Sequence, residues 1–192
     1  MAQPRPPAAW RRARLEKNYP NLTNSKWKLK SPDTINYQCI AWAACDTTRP
    51  WWPIGEPPIT YWPPNVPAEE TVECFIQAFA TLGYKPCTTA SFEFGFQKVA
   101  IFVDEEETPT HMARQHFLGR GWLSKVGDWE DILHPELKNV EGSTSPLPAK
   151  GYGQVRTILK RNWLAAARFG LFRGWLAAFR FWLFRANFSD FN

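Results

Sequence analysis

The chain is poor in the side chains that build metal sites and disulfide frameworks. It has three histidines and four cysteines in 192 residues. None of the cysteines (Cys39, Cys45, Cys74, Cys87) belongs to a C-x-x-C pair, so a structural zinc site is not expected. The arginines near the N-terminus are not followed by an apolar core, so no secretory signal is expected there, and a reducing, cytoplasmic setting follows. A membrane-spanning run is lacking too, because four arginines interrupt the one strongly apolar stretch, at the C-terminus. No cofactor and no metal is expected.

Hydrophobic residues make up 44% of the chain, which is enough for a proper core. The 11 tryptophans and 17 prolines point to ordered, aromatic-lined loops. The net charge of +5 is unevenly placed. Residues 1–30 carry eight Lys/Arg against one Glu, residues 31–159 nine against sixteen Asp/Glu, and residues 160–192 six against one Asp. An acidic centre therefore lies between basic ends. Such ends can contact anionic partners, but nothing here specifies a nucleic acid. The chain divides into a basic flexible arm (1–30) with a short helix near Trp10–Leu15, one α+β domain (31–161), and a Trp/Phe/Arg-rich tail (162–192).

Within the domain, residues 36–45 read as a helix capped by Asn36, with Cys39 in its first turn. Residues 50–67 hold seven prolines with Trp51, Trp52, Tyr61 and Trp62, and so form a long irregular loop. A helix is expected over 67–82, with Pro67 at its start and Gly83 at its end. Its apolar stripe is Val72, Phe75, Ile76, Phe79 and Leu82. Residues 98–103, 110–117 and 122–126 read as a three-stranded antiparallel meander. A short helical turn is expected at 131–133, and 155–161 fits either a strand or a helix. The acidic run 104–107 reads as a solvated hairpin tip. The tail is a tandem twelve-residue repeat, 163–174 and 175–186, with nine identical positions. Its composition suits weak contact with a membrane interface.

One constellation has a chemical rationale. A helix N-terminus and a nearby imidazolium both favour thiolate, so Cys39 on its helix and His111 on a strand could form a nucleophile–base pair. In the second strand His111, Ala113 and Gln115 share a face. Ser124 on the next strand is the first choice to orient the imidazole, with Gln115 the other and Asp131 more distant. The bland alternative is that both residues are packing groups. Cys45, Cys74 and Cys87 read as small buried hydrophobes.

The motifs Cys39–Ala43, Tyr61–Pro64, Phe79–Tyr84, Lys98–Ile101, Pro109–Gln115 and Trp122–Gly127 together resemble an uncharacterised bacterial domain family over residues 36–161. A looser resemblance is to papain-like peptidase folds. It implies N-terminal helices packed on a small antiparallel sheet, with Cys39 as nucleophile, His111 as base and acid, and Ser124 as orienting residue. Gln38, just before the cysteine, could assist an oxyanion, though its position is not equivalent to that of the papain-like glutamine.

The expected activity is that of a thiol-dependent hydrolase or transferase acting on an amide bond. Its groove would be walled by Trp51, Trp52, Trp62 and Trp122, for a peptide-like substrate. The alternatives are a non-catalytic module that binds a protein partner through the aromatic loop, and a membrane-associated protein acting through its tail.

Overall fold

The computed structural model describes residues 6–55, 60–145 and 149–162. The tandem repeat of the tail lies outside the described residues. Seven antiparallel strands form one sheet in the order β1-β6-β5-β4-β3-β7-β2. They are β1 Lys28–Leu29, β2 Lys85–Cys87, β3 Phe96–Val103, β4 Pro109–Gln115, β5 Trp122–Lys125, β6 Asp131–His134 and β7 Gln154–Asn162. Among the described residues three α-helices accompany them: α1 Ala8–Asn18, α2 Cys39–Ala43 and α3 Val72–Ala80. The architecture is α+β.

Side chains alternate across a pleated strand, and here the alternation divides the interior into two cores. Val99, Ile101, Met112, Leu123 and Leu159 pack with α2, α3 and the aromatic loop. Their neighbours Ala100, Phe102, Ala113, Trp122, Ile132 and Ile158 face the other way, against Leu15, Tyr19, Leu22 and Trp27. The described part of the basic N-terminal segment is therefore docked on the sheet. Two of its arginines reach into the acidic middle, where Arg14 Nη2 lies 2.9 Å and Arg11 Nη1 3.6 Å from the fully buried Glu130 carboxylate. The Trp27 indole donates to Glu16 at 3.0 Å.

The expected meander is present, as the central β5-β4-β3 part of the larger sheet. Residues 131–133, expected as a helical turn, instead belong to β6, because all four β6 residues pair with β5. Pairing with the neighbouring strand overrides local propensity here. The open choice at 155–161 resolves as a strand: β7 pairs with β3 from Phe96↔Asn162 to Val103↔Gln154. α3 begins later than expected. The Thr71 side chain accepts from the Cys74 N–H at 3.3 Å and caps the helix, leaving Pro67 outside. Phe75 and Phe79 of the expected stripe are fully buried, each stabilising by about 1.5–3 kcal/mol.

One irregularity lies in the middle of the sheet. β4 and β5 pair only at Arg114↔Leu123 and Gln115↔Trp122. The first half of β4 and the second half of β5 run side by side without a registered ladder, and side chains join them there.

Candidate functional site

α2 is short and wholly buried, and its N-cap residue is Gln38 rather than the expected Asn36. Cys39 is its first residue. Burial pushes the Cys39 thiol up, against the pull of the backbone N–H groups of Met112, Ile40 and Cys39 itself and of the Lys125 ammonium. The sulfur therefore sits among donors that suit an anion while its surroundings keep it protonated.

His111 is fully buried in β4. Its ring stacks on Tyr152, with centroids 3.9 Å apart and planes inclined by 6°, and its edge meets Phe102. A chain of hydrogen bonds fixes its tautomer. His134 Nδ1 lies 2.8 Å from the Glu136 carbonyl oxygen, which can only accept, so Nδ1 carries the proton. His134 Nε2 then accepts from the Ser124 hydroxyl at 2.9 Å. The Ser124 oxygen in turn accepts from His111 Nε2–H at 2.9 Å. His111 Nδ1 is left as a bare lone pair, buried and without a hydrogen-bond partner among the described residues. Neither nitrogen of His111 is hydrogen-bonded to Cys39. Burial holds both rings neutral, with His134 lowered to about 4 and His111 lowered well below its ordinary value.

The chain Glu136–His134–Ser124–His111 thus closes the stretch where the β4–β5 ladder stops. Ser124 is the hydrogen-bond partner that fixes the His111 ring. His134 is the member that sequence reasoning missed, since only its place in β6, opposite Trp122, brings it to Ser124.

The remaining residues named from sequence are placed elsewhere. Gln115 donates to the Ala90 carbonyl at 2.7 Å. Gln38 Oε1 accepts from the Trp51 N–H at 3.0 Å, tying the aromatic loop to α2. Asp131 accepts from the Tyr37 hydroxyl at 3.1 Å. Trp51, Trp52 and Trp62 gather on the α2–α3 side of the sheet, whereas Trp122 is buried in the opposite core. The four tryptophans therefore do not wall one groove. At the 104–107 tip the Asp104 carboxylate accepts the N–H groups of Glu106 and Thr108. Among the described residues no cluster of His, Cys, Asp or Glu could hold a metal ion.

The loop aromatics form a fixed array. The Trp52 indole donates to Glu70 at 2.6 Å and the Trp62 indole to the Pro67 carbonyl at 3.0 Å. Both rings stand edge-on to Phe75. Tyr61 packs on Trp51, with the Arg49 guanidinium 3.5 Å from its ring centroid. Trp52, Tyr61 and Trp62 remain only half-buried.

Sequence reasoning also missed Cys45. Arg114 Nη1 donates to its sulfur at 2.7 Å, Arg161 Nη2 at 3.6 Å and Gln97 Nε2 at 3.7 Å. The Gln97 amide oxygen, itself 3.8 Å from the Cys45 sulfur, accepts from the Tyr84 hydroxyl at 2.8 Å and from Arg161 Nε and Nη2 at 3.1 and 2.8 Å. Burial pushes the Cys45 thiol up, but the two guanidiniums and the hydrogen bonds from Arg114 and Gln97 outweigh it, and the net direction is down.

The structure thus defines an α+β domain with a seven-stranded antiparallel sheet, helices on both faces and free thiols at both ends of one short helix. Residues 28–160 match a domain of unknown function, DUF7689, and the chain belongs to that family. No curated protein and no solved structure matches it. Among the described residues, no helix is long and apolar enough to cross a membrane.

Proposed function

We propose that the domain is a non-catalytic binding module whose contact surface is the aromatic, proline-rich segment between α2 and α3. The observation that carries this reading is the array of half-buried rings of Trp52, Tyr61 and Trp62, whose positions are already fixed by internal hydrogen bonds and edge-on packing. Trp, Tyr and Arg are the residues that most often dominate binding energy at interfaces, and groups fixed before binding lose little entropy on contact. The partner is a protein or peptide-like segment. Cys39 and His111 are then packing residues, in keeping with the neutral forms that burial imposes on both. A photo-crosslinking side chain at position 62 tests the reading. A discrete adduct with one partner, lost in Trp52→Ala and absent from the same probe at position 138, supports it. Equal adducts at both positions, or none, oppose it.

A papain-like thiol hydrolase or transferase acting on a peptide-like amide is the second reading, and the bare Nδ1 of His111 favours it. A buried unpaired acceptor costs about 1–3 kcal/mol, and catalytic groups are one reason such atoms persist. In this reading Cys39 is the nucleophile, His111 the base, and Ser124 the residue that orients it, with the N–H groups around Cys39 receiving the oxyanion. Alkylation of Cys39 by iodoacetamide near pH 6 that disappears in His111→Ala supports it. Cys39 alkylation unaffected by that substitution removes it.

A further inference from the structure

Cys45 occupies a backbone position that disfavours any side chain. α2 ends in a Schellman-type turn, in which the Cys45 N–H donates to the Trp42 carbonyl at 3.1 Å and the Asp46 N–H to the Ala41 carbonyl at 2.9 Å. This places Cys45 at φ 66°, in the left-handed region where glycine is usual. A β-carbon there costs about 1–2 kcal/mol. Such strain persists where the surroundings over-determine it, and here the surroundings are two guanidiniums.

Arg114 and Arg161 are more than nine-tenths buried, at 7% and 4% exposure. Neither meets a carboxylate among the described residues. Arg114 lies over Trp42 and Arg161 over Tyr84, and both donate to the Cys45 sulfur. Two buried cations without a counter-charge are costly. Of the acids nearby, the Tyr84 phenol is pushed up by burial and stays neutral. The Asp46 carboxylate is turned to Thr48, Arg49 and Trp51. Among the described residues the sulfur alone is left to supply the negative charge, and Cys45 is a partly exposed residue.

We propose that Cys45 rests as a thiolate clamped by Arg114 and Arg161 and is this chain's site of two-electron oxidation by hydroperoxides. The thiolate sulfur attacks the terminal peroxide oxygen. A sulfur–oxygen bond forms as the oxygen–oxygen bond breaks, and the departing hydroxide or alkoxide takes a proton from solvent. Sulfur is oxidised to sulfenic acid and the peroxide is reduced to water or an alcohol. The guanidinium N–H groups that hold the thiolate are also placed to hydrogen-bond the charge developing on the departing oxygen. This site is independent of the aromatic contact surface.

The test treats the native full chain with hydrogen peroxide at about pH 6.5 in the presence of dimedone, with adducts mapped by peptide mass spectrometry. Cys45 is expected to carry about tenfold more sulfenic adduct than Cys39, Cys74 or Cys87, a preference lost in the urea-unfolded chain. In Arg161→Gln and Arg114→Gln chains that keep the native circular dichroism, the Cys45 rate falls about tenfold. Because either variant can fail to fold, the native-against-unfolded comparison decides alone. Adducts spread evenly over the four thiols, concentrated at another cysteine, or unchanged on unfolding overturn the proposal.

Discussion

The two ends of α2 carry the two thiols that matter, six positions apart, and they are tuned in opposite directions. Cys39 stands at the N-terminus, where a helix dipole favours an anion, and its thiol is pushed up. Cys45 follows the C-terminus, where the dipole opposes an anion, and its thiol is pushed down. Magnitudes explain the reversal. A helix terminus contributes about 0.3–1 kcal/mol, and a five-residue helix has little dipole to offer. A full charge about 4 Å away contributes about 4 kcal/mol at an effective dielectric of 20. Cys45 has two such charges donating to its sulfur. Cys39 has backbone N–H groups and the more distant Lys125, which do not outweigh its burial. Helix position is therefore a weak guide to thiol chemistry when explicit charges are near.

The sharpest way to break this contrast is Cys45→Ala. It leaves two buried guanidiniums without a counter-charge and is expected to cost about 3–5 kcal/mol in urea unfolding. Cys45→Gly should cost about 1 kcal/mol less, because it relieves the left-handed backbone. A loss of about 1 kcal/mol or less for the alanine variant would show that the sulfur is not the counter-ion.

The next effect belongs to the polar chain beside Cys39. His134 has a folded-state value of about 4 against an ordinary 6.5. The unfolded chain therefore takes up its proton first as the pH falls. The stability this residue contributes is complete above about pH 6.5 and declines through about pH 4, by about 3 kcal/mol. His111 acts in the same direction. Stability measured against pH for the native chain and for His134→Gln should differ by that loss; parallel curves would mean that His134 does not titrate this way.

Ser124→Ala removes the shared hydroxyl and should cost about 1–3 kcal/mol, with the His111 ring resonances shifting in NMR spectra. Cys39→Ala is the mildest of the set. If the thiol only packs, its loss should cost about 1 kcal/mol, well below the cost at Cys45, as measured by the same urea unfolding.

The features legible in the sequence are those carried by local pattern. The apolar stripe around Phe75 and Phe79, the apolar, partly β-branched run Val99–Val103 and the meander to Trp122 depend on neighbours in the chain. The contact between Ser124 and His111 is legible because the two lie on adjacent strands. The features that stay hidden depend on partners the local pattern does not specify. Asp131–Leu133 looks helical until β5 takes it as a partner, and His134 joins the polar chain only through that pairing. The docking of α1 rests on Arg14 meeting Glu130, 116 positions away. The Cys45 clamp likewise draws on residues 69 and 116 positions away. Its one local trace is a cysteine just past a helix end, where glycine is usual.

The alkylation rate of each cysteine in the native chain as a function of pH, read peptide by peptide, decides between the two thiols. The Cys45 profile is expected to have its midpoint below the ordinary thiol value of 9.0 and the Cys39 profile above it. The opposite order, with Cys39 reacting as thiolate at lower pH than Cys45, would contradict the assignment of charge at both ends of α2 and favour the hydrolase.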